Sequence, residues 1–119
     1  MPLDISFDIM TIKPVVWLGD SCKVTRLFPR EARKVAGFEL WEVQQGKEPS
    51  DWKAMPSVGI GVSEIRVRAG GAYRVIYVAK FPEAIYVLHA FQKKTRKTSR
   101  QDLGLARARF RELIQERKR

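Results

Sequence analysis

The stretch VSEIRVRAGGAYRVIYVAKFPEAIYVLHAF, residues 62–91, holds three runs rich in Val, Ile, Tyr and Phe with only short interruptions. β-Branched and aromatic side chains fit a pleated, partly buried surface, so Val62–Arg68, Ala72–Lys80 and Ala84–Phe91 each read as a strand. Gly70-Gly71 and Phe81-Pro82-Glu83 are connections of hairpin length, which makes the three strands an antiparallel meander. Alternation puts Glu64, Arg66 and Arg68 on one face of the first strand and Ile65 and Val67 on the other.

The flanks supply helices. Upstream, PREARKVAGFELWEVQQ begins at Pro29 and repeats apolar residues at Ala32, Val35, Ala36, Leu40 and Val43, an amphipathic helical spacing that Gly46 stops. Before it, Lys13–Leu18 is a β-rich run closed by Gly19-Asp20-Ser21. After it, Pro49-Ser50-Asp51-Trp52 suggests a short second helix or turn, limited by Pro56 and Gly59. Downstream, Ser99 with Asp102 three residues on resembles a capping box, and Leu103, Ala106, Phe110, Leu113 and Ile114 mark a closing helix. Residues 1–12 alternate Leu3, Ile5, Phe7 and Ile9 with polar residues, as an edge strand or an extension would. Residues 13–119 read as one α+β domain.

A chain of 119 residues suits a single hydrophobic core. No apolar run approaches the roughly 18 residues of a membrane span, and the acidic start MPLDISFDIM is unlike a signal peptide, so the expected location is the cytoplasm, with no membrane partner. Cys22 and His89 are the only residues of their kinds, which excludes an internal disulfide and a metal site built from several Cys or His. No phosphate-binding glycine motif, no nucleophile elbow and no pair of carboxylates near a histidine is present.

The net charge is +10. Residues 89–119 hold 11 Lys or Arg against 3 Asp or Glu, whereas residues 1–88 are nearly balanced. Such asymmetry points to an anionic partner, nucleic acid or an acidic protein. Arg74 stands inside the apolar run AYRVIYV, where a guanidinium needs a pair or a groove, and its fork suits phosphate. His89 adjoins Gln92, Lys93, Lys94, Arg96 and Lys97, and it is the one side chain there that exchanges a proton near neutral pH.

Four stretches together carry a family likeness: KPVVWLGDS, FPREARKVAGFELWEVQQG, SEIRVRAGGAYRVIYVAKF and YVLHAFQKKTRKT. In them the chain resembles HigB-like toxins of the RelE/ParE superfamily, from Lys13 to the C-terminus. The resemblance implies an N-terminal helical hairpin packed on an antiparallel sheet, with a C-terminal helix. It also implies a type II toxin that cleaves mRNA on the ribosome, paired with a cognate antitoxin, commonly a helix-turn-helix protein. By motif position, Arg66 and Arg74 match the family's strand cations, and Lys93 and Lys94 match its basic segment after the last strand. The implied chemistry is attack by a ribose 2′-OH, with no metal or other cofactor required. Arg74 with Lys93 or Lys94 would stabilise charge, Arg66 would position the 2′-OH, and His89 would transfer a proton. Arg68, Gln92, Arg96, Lys97 and Arg100 would contact RNA. Because no Tyr or His follows His89, a non-enzymatic, ParE-like inhibitor of DNA gyrase stands as a second reading, and a plain nucleic-acid-binding module as a third.

Overall fold

The computed structural model describes residues 12–119; the alternating stretch Leu3–Ile9 lies outside them. In chain order the elements are β1 (Val15–Trp17), α1 (Ser21–Arg26), α2 (Arg30–Gln44), β2 (Trp52–Ala54), β3 (Val62–Arg68), β4 (Ala72–Val78), β5 (Ile85–Gln92) and α3 (Arg100–Lys118). The fold is α+β.

The three central strands form the expected meander. Gly70 takes the positive φ of 70° that its turn requires, and β3 pairs residue for residue with β4 from Val62↔Val78 to Arg68↔Ala72. Both faces of this sheet are covered, as its nearly continuous apolar runs demand. On one face α2 buries Ala32, Ala36, Leu40 and Val43 against Ile65, Val67, Val75, Tyr77 and Val87. On the other, Ala106 and Leu113 of α3 pack on Val62, Ile76, Val78 and Leu88. The Ser99 hydroxyl accepts the Asp102 N–H and starts α3 as its sequence foretold.

Three expectations need correction. The sheet is mixed, in order β1-β5-β4-β3-β2, because β1 runs parallel to β5 (Val15↔Ile85) while all other pairs are antiparallel. The helical hairpin is made by α1, which begins at Ser21 directly after Gly19-Asp20, rather than by a helix downstream of α2. Instead, the Pro49–Trp52 region leads into an edge strand, with Trp52↔Ile65 and Ala54↔Ser63 paired to β3. The buried Glu39 carboxylate of α2 accepts from both the N–H and the hydroxyl of Ser50, which holds that connection extended beside the sheet.

A bulge in β5 decides what its charged end faces. Tyr77 pairs with Val87 and Ile76 with His89, so Leu88 is the extra residue. Strict alternation would set His89 on the face opposite Leu88, but the added residue turns both toward α3.

Candidate nucleic-acid interface

The α3 face of the sheet is covered along only part of its length. Beyond the N-terminal turn of α3, the β2–β3 edge and the segment after β5 enclose a groove of about 510 Å³. Backbone pairing fixes its walls: Met55 N–H donates to Val62 O on one side, and Lys93 N–H to Ala72 O on the other. Among the described residues, Lys53, Arg66, Lys93, Arg96 and Lys97 line it, with Met55, Pro56 and Leu103 as apolar wall and one carboxylate, Glu64.

Glu64 is only 3% exposed. Its Oε1 lies 3.5 Å from Nε of Arg66 and 3.5 Å from Nε of Arg74, because Arg66 and Arg74 are cross-strand partners and Glu64 stands two residues along the same face. These contacts are electrostatic and not hydrogen bonds: Glu64 Oε2 and both Nε atoms have no hydrogen-bonding partner among the described residues. A buried carboxylate oxygen in that condition is a strong acceptor that lacks a donor.

The candidate residues other than Arg74 and His89 fall into three groups. Arg66, Lys93, Arg96 and Lys97 reach the groove. Gln92 and Lys94 line a smaller adjoining hollow of about 170 Å³, together with Lys93, Lys97 and Asp102. Arg68 stands at the exposed sheet edge, 3.7 Å from Asp51, and Arg100 is exposed on the first turn of α3.

Arg74 and His89 are placed differently. Arg74 is 5% exposed and donates from Nη1 to the Tyr73 carbonyl, behind Glu64 as seen from the groove. Burial draws its pKa below the usual arginine range, an effect that the Glu64 carboxylate opposes and the Arg66 charge reinforces. His89 is 4% exposed and stacked on Phe91. Arg109 Nη1, which is only a donor, lies 3.2 Å from its Nδ1, so Nδ1 accepts and Nε2–H donates to Asp102 Oδ1 at 2.7 Å. Arg109 goes on to the Leu88 carbonyl and to Asp20, whose carboxyl it holds below the ordinary aspartate range. Both ring nitrogens are therefore committed to tying α3 to β5. His89→Gln is expected to lower stability by about 1–3 kcal/mol in chemical denaturation. A denaturation midpoint equal to wild type would mean that these contacts do not hold α3 to β5.

Two groove residues escaped the sequence reading. Lys53 carried no signal, since it reaches the site only through the unforeseen strand β2. Glu64 was visible as one member of a charged triplet, and the signal for its role is a carboxylate on the same strand face as two arginines.

A larger cavity of about 630 Å³ opens at the other end of α3, but its cations are already engaged. Arg109 pairs with Asp20, and Arg117 donates twice to Glu83, which its hydrogen bonds pull down to about 2. Anion binding there would have to displace those carboxylates, whereas the groove presents five cations to one anion.

Comparison with known protein families gives a match. The family model described as "Phage derived protein Gp49-like (DUF891)" covers residues 24–111, from α1 well into α3. Neither curated proteins nor solved structures give a match. None of the helices among the described residues is long and apolar enough to cross a membrane. Gp49-like proteins are toxins of type II toxin–antitoxin pairs, generally of ribonuclease type, and such a toxin implies a cognate antitoxin. With more than half of its length matched, the chain belongs to this Gp49-like family of toxins.

Proposed function

We propose that the chain is a HigB-like mRNA interferase that cleaves ribosome-bound mRNA in the cytoplasm through attack by a ribose 2′-OH. The observation that carries this reading is the groove in which, among the described residues, five cations surround a single carboxylate, Glu64. Cations alone would bind RNA; a carboxylate among them supplies a proton acceptor.

In this reaction Glu64 takes the proton from the 2′-OH. The 2′ oxygen attacks phosphorus, and Arg66 and Lys93 neutralise the charge that builds on the equatorial oxygens. The P–O5′ bond breaks to leave a 2′,3′-cyclic phosphate, and the departing 5′ oxygen takes a proton from a groove lysine. Tyrosine does not supply it: Tyr73 and Tyr77 are buried in the α2-side core, the Tyr77 phenol being pushed up to about 12 by burial, and Tyr86 donates to Glu83. Arg74 positions Glu64 in place of clamping phosphate. Lys53, Arg96, Lys97, Lys94 and Gln92 hold the flanking backbone, with Arg68 and Arg100 at the periphery. The cognate antitoxin of this reading is a helix-turn-helix protein.

Incubating the purified toxin with mRNA, with and without translating ribosomes, and mapping new 5′ ends tests the proposal. Cuts that require ribosomes and vanish in Arg66→Ala are expected. Intact mRNA at doses that arrest growth would sink it and turn attention to DNA gyrase.

A further inference from the structure

We propose that the cleft between α1 and α2, on the sheet face away from the groove, is the docking site for an acidic segment of the cognate antitoxin that carries a bulky apolar side chain. This inference rests on membership of the toxin family and not on the cleavage reading.

Three independent observations meet there. The first is a cleft of about 240 Å³, with Trp17 and Leu40 in its lining and Arg26 and Arg33 beside them. It has room for one large aliphatic or aromatic side chain. The second is Gly37, which borders the cleft in the middle of α2. Its φ is not positive, and a Cβ built on it meets nothing within 4 Å among the described residues, so neither backbone conformation nor packing against them requires a glycine. Glycine in a helix interior is unfavourable against alanine. Its effect here is to lower the cleft wall and let another backbone approach closely. The third is the surface around it. Arg33, Gly37 and Trp41 stand at i, i+4 and i+8 in one row, and Phe38 adjoins Trp41. Phe38 is 57% and Trp41 45% exposed, uncommon for two large aromatics on one short helix.

Charge selects the occupant. Arg26, Arg30, Arg33 and Lys34 form no ion pair among the described residues, and Glu31 is the one exposed carboxylate in this part of α2. The aromatics seat apolar side chains while the four cations meet carboxylates, a pairing that favours fast and selective capture. A second copy of this chain would oppose like charge to like. RNA would gain the cations and stack a base on the aromatics, so loss of RNA affinity in both variants below, with wild-type antitoxin affinity, would assign the cleft to RNA instead.

The test uses the toxin co-expressed with the antitoxin encoded beside it, with affinity and hydrogen exchange measured on the purified partners. Gly37→Phe fills the cleft from open space, and Arg33→Glu reverses its rim; neither disturbs a buried contact. Each is expected to weaken the complex by about tenfold or more, with circular dichroism unchanged. Exchange protection on complex formation is expected across residues 22–41. Wild-type affinity in both variants, or protection confined to the groove strands and residues 93–98, overturns the proposal. Both variants retain the wild-type cleavage rate, so an inactive wild-type toxin would count against the cleavage reading alone.

Discussion

Glu64→Gln is expected to lower the single-turnover rate of RNA cleavage by about 10²–10⁴-fold, the usual contribution of a positioned general base. Glutamine keeps the shape of the side chain and an oxygen to accept a hydrogen bond, but it has no capacity to take up a proton. RNA affinity should hold or rise, because the groove would lose its single negative charge while keeping five cations. The decisive comparison is therefore of rate against affinity, measured on ribosome-bound mRNA with the RNA dissociation constant determined in parallel. Equal losses in both would mean that Glu64 organises Arg66 for binding, and an unchanged rate would remove it from the chemistry.

Arg74→Ala should act first on the fold. The mutation leaves Glu64, 3% exposed, with the side chain of Arg66 as its remaining cation at 3.5 Å. Removing one partner from a buried ion pair typically costs about 3–5 kcal/mol when the other charge is left without compensation, and the remaining Arg66 offsets part of that here. That is a large fraction of the roughly 5–15 kcal/mol by which domains are stable, so loss of toxicity in this variant would not by itself identify a phosphate clamp. Nothing local to AYRVIYV reveals that this guanidinium is buried beside the Glu64 carboxylate. The double variant Glu64→Leu with Arg74→Met distinguishes the two. Replacing a buried pair by apolar residues of similar volume is often neutral or stabilising, so it should recover most of the stability and remain inactive. Urea denaturation of the single and double variants provides the check; a midpoint for Arg74→Ala equal to wild type would mean that the pair is solvated.

Much of this molecule is legible in local pattern. The alternating and continuous apolar runs of residues 62–91 carry the meander, the spacing Ala32–Ala36–Leu40–Val43 carries α2 and its buried face, and Ser99 with Asp102 carries the start of α3. These signals are local because strand and helix periods, turns and caps depend on residues a few positions apart. The concentration of charge after His89 is likewise a property of composition, and it located the basic wall of the groove.

What only the tertiary structure decided are relations over long separations. The pairing of β1 with β5 joins residues about seventy positions apart, and β2 exists because Glu39 and the open edge of β3 hold it there. One bulge at Leu88 moves His89 under α3, where Asp102 and Arg109 occupy both its nitrogens. Sequence placed Glu64 and Arg66 on one strand face and identified Arg74 as a cation in need of a pair or a groove. It did not determine which of them would be roofed by neighbouring elements and which would face the solvent. Burial is set by the distant chain that packs above a side chain, and burial separates an arginine that holds its neighbour from one that meets the ligand.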